Sequence, residues 1–175
     1  MNTKANIIRA AEQLFDRHGF TASGVDRLTR AANVSSRTLY KHVGSKIGLV
    51  SAVLGERDRR FGKRIDVRTI QALFDALEDW IRVEGARGCL FLRALGETGG
   101  SEPDVTAAVE AQKASLSERI HAIVALELGA GDEDLAEQIL VLFEGATAAA
   151  VYRGPGAVAS ARDAALALMA ARTRA

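Results

Sequence analysis

Between Val25 and Lys46 the chain reads VDRLTRAANVSSRTLYKHVGSK, and its polar groups are of the kind that contact nucleic acid. Ser36, Arg37, Thr38, Tyr40, Lys41 and His42 place hydroxyls, a guanidinium, an ammonium and an imidazole within one short stretch. A guanidinium reads guanine through two parallel hydrogen bonds to O6 and N7, and hydroxyl and ammonium groups suit phosphate oxygens and base edges. Arg37 has the chemistry to read a base; a solvent-facing or phosphate-bound arginine is the plainer alternative. Lys41 fits phosphate contact. Tyr40, between Leu39 and Lys41, is expected at the edge of a nucleic-acid interface rather than in the core.

Such groups work only if a rigid element presents them together. Val25, Leu28 and Ala32 recur at i, i+3 and i+7, the apolar stripe of a short helix. Asn33 tolerates the left-handed backbone that ends a helix and reverses the chain. Val34 fills the corner, and Ser35 is a good N-cap for a second helix. In that helix Leu39 and Val43 point inward, which leaves the polar residues on the remaining circumference. The pattern is a helix-turn-helix, whose second helix enters the major groove of double-stranded DNA.

The remaining periodicity is helical almost throughout. A first helix is expected over 4–18, burying Ile8, Ala11, Leu14 and Phe15, with Gly19 as its stop. Ser45 is placed to cap a fourth helix over 45–60 that buries Leu49, Val50, Val53 and Leu54. Ile70, Leu73, Phe74, Leu77, Trp80 and Ile81 mark a fifth helix, and 89–95 a short sixth. A polar loop over 97–102 precedes Pro103, well suited to the first position of a long helix carrying Val105, Val109, Leu116, Ile120, Ile123 and Val124. Two last helices over 134–152 and 158–172 flank Gly154-Pro155-Gly156. The expected class is all-α, with about nine helices. The alanine-rich faces of the last two favour close pairing with the same helices of a second copy, giving a four-helix bundle and a homodimer. Packing within the monomer is the alternative.

Charge divides the chain more sharply than its net +1 indicates. Residues 1–64 carry 13 Lys/Arg against 5 Asp/Glu, a net +8, whereas residues 65–175 carry 10 against 17, a net −7. A basic N-terminal third attracts phosphate and the acidic remainder is repelled by it. One cysteine, Cys89, excludes an intramolecular disulfide and suits a reducing, cytoplasmic setting. No apolar run approaching ~20 residues is evident, and the N-terminus lacks a signal peptide's apolar core, so no membrane association is expected. His18, His42 and His121 stand apart from one another and from Cys89, giving no metal-ligand spacing. Gly96, Gly99 and Gly100 lie in a polar connection rather than between strand and helix, and Asp75/Asp79 and Asp132/Asp134 look like solvated helix surface. Neither an enzyme nor a cofactor is indicated.

The order of these pieces resembles the TetR family of bacterial transcriptional repressors. The likeness lies in residues 4–54: AAEQLFDRHGF, the Leu28…Ala32-Asn33-Val34-Ser35 turn, and Thr38-Leu39-Tyr40…His42-Val43…Ser45-Lys46. Beyond them only the helical layout matches. The resemblance implies a helix-turn-helix DNA-binding domain over 1–46, joined by the fourth helix to a ligand-binding and dimerisation domain over 47–175. It makes Ser36, Arg37, Thr38 and Lys41 candidates for base edges and puts Tyr40 and His42 near the sugar-phosphate wall. Lys46 and either Thr21 or Ser23 become candidate phosphate contacts on a pseudo-palindromic operator. Asn33 departs from a common glycine and Val43 from a common phenylalanine. Gly48 replaces a frequent capping glutamate at a cost of ~1 kcal/mol as an in-helix glycine.

A small-molecule effector is implied as well, with Trp80, Cys89, Phe91, Leu95, His121, Phe143, Thr147 and Tyr152 as candidate pocket residues. Each alone reads as core filling. Cys89, with only Arg87 and Arg93 as basic neighbours in sequence, is expected to be a buried inert thiol rather than an oxidation sensor. Two rival readings are a ligand-insensitive DNA-binding protein and an all-helical small-molecule binding protein with an incidental helix-turn-helix.

Overall fold

The computed structural model describes residues 2–173, in which all regular structure is helical. The helices are α1 (Thr3–His18), α2 (Val25–Ala32), α3 (Ser36–Val43), α4 (Lys46–Arg64), α5 (Ile70–Glu84), α6 (Leu90–Thr98), α7 (Pro103–Leu128), α8 (Glu133–Arg153) and α9 (Gly156–Thr173). Local chemistry accounts for most of these boundaries. Side chains of Asn2, Ser35, Thr69 and Asp132 accept backbone amides at the starts of α1, α3, α5 and α8. Each satisfies one of the donors that a helix leaves unpaired in its first turn. Ser45 does the same for α4, its hydroxyl accepting the Gly48 amide at 2.9 Å. Pro103 opens α7, where a missing amide proton costs nothing.

The chain divides into two compact units. One joins the residues up to Arg59 to Leu90–Ala111. Its core holds Ile7, Ala11, Phe15, Phe20, Leu28, Leu39, Leu49, Val53 and Leu54, all buried. The rings of Phe15 and Phe20 stack there at 4.7 Å. The buried stripe of α1 is turned from its expected line: Ile7 is fully enclosed, whereas Ile8 and Leu14 are half-buried. The cause is tertiary, since α1 packs against both α2 and α3 and the wider seam draws Ile7 inward.

The other unit joins Arg60–Cys89 to the residues from Gln112 onward. Its core is built on Ile70, Phe74, Leu77, Leu116, Ile120, Val124, Ile139, Phe143 and Ala165. Here α9 packs along α8 and α5. Ala136, Ala146, Ala150, Ala161 and Ala165 are small residues buried on α8 and α9, consistent with close approach of the two helices. Contrary to the expectation that no segment reaches membrane-spanning length, α8 is long and apolar enough to do so, with a mean hydropathy of 1.3 in its most apolar window. Only 33% of that window is buried within the chain. Val141 and Val151 are among its exposed apolar residues, at 68% and 53%.

Candidate DNA-binding interface

The turn between α2 and α3 is built as its residues predict. Asn33 adopts φ 53°, ψ 50°, and is the one non-glycine residue with positive φ among the described residues. An asparagine holds this conformation at smaller cost than a bulkier side chain. The amides of Asn33 and Val34 donate to the carbonyls of Arg30 and Thr29 at 3.2 and 3.0 Å, closing the end of α2. A contact with no local signal secures the same end: the Asn6 side-chain amide donates to the Ala32 carbonyl at 2.8 Å.

Helix α3 then turns one edge inward. Leu39 is 1% exposed, while Ser36, Arg37, Tyr40 and Lys41 are open to solvent. Thr38 and His42 are half-buried. The Thr38 amide donates to the Ser35 hydroxyl at 3.1 Å, and the two hydroxyls lie 3.0 Å apart. Its side chain is therefore partly engaged in the helix cap. Val43 is half-buried rather than enclosed, in keeping with a side chain too small to fill the space behind the helix.

Two further candidates meet beside this helix. Lys46, the first residue of α4, directs its Nζ to the Thr21 carbonyl at 3.4 Å. Thr21 is exposed. Ser23, the alternative to Thr21, is fully buried and donates to the Gly19 carbonyl at 2.7 Å, so its hydroxyl is engaged within the fold. The segment expected to be a polar loop from residue 97 begins later, because α6 continues through Thr98. Glu97 is thereby placed to accept the Phe20 and Thr21 amides at 2.7 and 2.8 Å. Nothing near Glu97 in sequence signals this role.

Gly48 also has a reason that its sequence context hides. A Cβ there would lie 2.2 Å from the Val43 carbonyl oxygen, a distance no side chain can occupy. The glycine admits that carbonyl, so its propensity cost is offset by a close approach.

The candidate pocket residues scatter. Phe91 and Leu95 fall in the first compact unit; Trp80, Cys89, His121, Phe143, Thr147 and Tyr152 fall in the second. Trp80 and Phe143 come together around Phe61, with ring centroids 5.1 and 6.3 Å from it. The Arg60 guanidinium lies 5.4 Å over the Trp80 ring. Thr147 donates back to the Phe143 carbonyl at 3.0 Å, and His121 stands 3.7 Å from Glu137. Tyr152 lies on the surface, 78% exposed.

Cys89 departs from the expectation of a buried thiol whose only basic neighbours are Arg87 and Arg93. It is half-buried, and Lys113 Nζ lies 3.4 Å from its Sγ while also pairing with Glu144 at 2.6 Å. Arg93, close to Cys89 in sequence, instead turns to Phe15 and Asp16.

Comparison with known proteins agrees with this arrangement. Residues 7–53 match the family model of bacterial regulatory proteins of the tetR family. Over 80 residues the chain is 31% identical to the HTH-type transcriptional repressor SCO4008 of Streptomyces coelicolor, a match covering 45% of this chain and 42% of that repressor. The match thus spans less than half the length of this relative. The fold is similar to that of SCO4454, a TetR-family transcriptional regulator from Streptomyces coelicolor, with a TM-score of 0.88 and 24% identity over 98% of this chain and 96% of that one. It is also similar to a TetR transcriptional regulator from Chloroflexus aurantiacus, with a TM-score of 0.81 and 19% identity over 96% and 94% of the two chains. Residues 7–53, which hold the helix-turn-helix of α2 and α3, thus belong to the tetR family of bacterial regulatory proteins, and the helical fold around them is like that of the TetR-family regulators of known structure.

Proposed function

We propose that the protein is a homodimeric repressor that reads a pseudo-palindromic operator with α3 and is released by a small-molecule effector. The observation that carries the reading is the capped, solvent-open face of α3, where Ser36, Arg37, Tyr40 and Lys41 stand exposed over a buried Leu39. A rigid helix with one buried edge and such side chains outward suits the major groove. Arg37 is the candidate base reader; Thr38 and His42 flank it, and Lys46 and Thr21 address the phosphates. In this division of labour residues 1–46 bind DNA and residues 47–175 hold the effector and the partner.

Dimerisation through α8 and α9 draws support from a shallow groove on these helices, lined by Val141, Leu142, Ala164, Ala167 and Leu168 with Glu137 and Gln138 beside them. Apolar surface of this kind on a helix pair is covered when a second copy packs its own pair against it. A two-fold dimer sets its recognition helices about one helical turn, ~34 Å, apart. An effector that favours a dimer with another spacing lowers operator affinity by its preference for that state. Trp80, Cys89, His121, Phe143 and Thr147 are the pocket candidates that share the second unit.

The test is binding of the full chain to duplex DNA from upstream of its own gene, against random duplex, at several salt concentrations. Selective binding that persists as salt rises supports operator reading; binding that is weak, salt-labile and indifferent to sequence removes it. Effector action is then scored by release from that duplex.

A further inference from the structure

Helix α6 grips the corner between α1 and α2 at two points one helical turn apart. Arg93 donates to the Phe15 and Asp16 carbonyls at 3.2 and 3.0 Å, in the last turn of α1, where the Phe15 carbonyl also accepts the capping Gly19 amide at 2.9 Å. Glu97 Oε2 accepts the Phe20 and Thr21 amides that follow that end, at 2.7 and 2.8 Å. Cation meets acceptors and anion meets donors. The buried Gly19 between them, at φ 81°, leaves room for the carboxylate, since a Cβ there would lie 2.8 Å from Glu97 Oε1. The Thr21 backbone is thus held at both ends, by Glu97 on its N–H and by Lys46 on its carbonyl at 3.4 Å.

We propose that Glu97, assisted by Arg93, is a positioning residue for DNA binding: by fixing the backbone at Thr21 it holds the Thr21 hydroxyl and the Lys46 ammonium in the geometry of one phosphate contact. The proposal rests on the DNA-binding reading above. With the Thr21 amide taken by the carboxylate, the hydroxyl and ammonium are the groups left for the phosphate. Carboxylate-to-amide hydrogen bonds are short and strong, which suits them to setting a backbone rather than merely decorating it.

The proposal predicts a sign opposite to simple electrostatics. Deleting an exposed negative charge near DNA should raise affinity if charge alone matters; deleting a positioning group should lower it. The experiment measures affinity of the full chain for a duplex selected from a randomised pool by the unmodified protein, across a salt series, with thermal midpoints measured in parallel. Glu97→Ala is expected to weaken binding roughly tenfold and to flatten the log K against log salt slope by ~0.9, one phosphate contact, as Lys46→Ala does. Base preference should not change. Glu97→Gln, which keeps an acceptor oxygen for the amides, should recover most of the affinity. Affinity equal to or above that of the unmodified chain, or a loss that follows the melting temperature with the salt slope intact, overturns the proposal. Should Glu97→Ala not fold, Glu97→Asp withdraws the carboxylate while keeping its charge, and the same outcomes apply. An unmodified chain that binds no duplex sinks the DNA-binding reading itself, and this proposal with it.

Discussion

Glu12 on α1 and Arg57 on α4 form an ion pair at 3.0 Å, with side chains only 10% and 7% exposed. The pair spans 45 residues of sequence and lies inside the unit that carries the helix-turn-helix. Removing one member of a buried pair costs more than the pair's net value, because the remaining charge stays desolvated. Glu12→Ala is therefore expected to destabilise the protein by about 3 kcal/mol or more, read by urea unfolding. Replacing both residues with apolar side chains of similar volume should cost much less. A loss under ~1 kcal/mol for the single change would mean that the pair is solvated and behaves like a surface bridge.

Arg37 tests base reading. Its exposed guanidinium on α3 is expected to discriminate one base pair, so Arg37→Ala should cost about 1–3 kcal/mol of operator binding and relax preference at that position alone. Selection from a randomised duplex pool checks this. An unchanged sequence preference assigns Arg37 to solvent or phosphate.

Val141 tests the dimer. It lies on the α8–α9 groove and is 68% exposed in the single chain. Val141→Glu brings a carboxylate close to Glu137 and, across a two-fold axis, to its own copy. Sedimentation velocity should show the dimer weakened by roughly 100-fold or more, with helix content retained. A variant as dimeric as the unmodified chain removes α8 from the interface.

Gly48 opposes two rules. Helix propensity alone predicts that Gly48→Ala stabilises by ~1 kcal/mol. The Val43 carbonyl, 2.2 Å from the new Cβ, predicts the reverse, a loss of about 1–3 kcal/mol as the backbone shifts to relieve the clash. Thermal unfolding decides between them, and a raised midpoint would show that the α3–α4 junction yields easily.

Asp58 gives a pH dependence. Burial on α4 raises its carboxyl pKa above the ordinary 3.8. The folded state therefore holds this proton more tightly than the unfolded chain, so the contribution is present below pH 3.8 and is lost as pH rises through the raised value. Asp58→Asn should be more stable than the parent near neutral pH, with the difference vanishing in acid. Urea unfolding from pH 3 to 7 measures it; a constant difference across that range would rule out the titration of Asp58 as its source.

What the chain determined by itself is what short-range chemistry controls. Ser35, Ser45 and Pro103 announced helix starts, Asn33 announced a left-handed turn, and the spacing of Leu28, Leu39 and Leu49 marked inward faces, because caps and helical periodicity act within a few residues. Gly48 looked like a propensity defect until the Val43 carbonyl stood beside it. Glu97 read as loop because its partners at Phe20 and Thr21 are 77 and 76 residues away. Ser23 and Thr21 are alternatives in the sequence that burial separates, and Cys89 has only Arg87 and Arg93 as basic neighbours in sequence until the fold brings Lys113 from α7. These were decided by tertiary structure, since hydrogen bonds and ion pairs reach only a few ångströms and which distant groups come within that reach is set by how the helices pack.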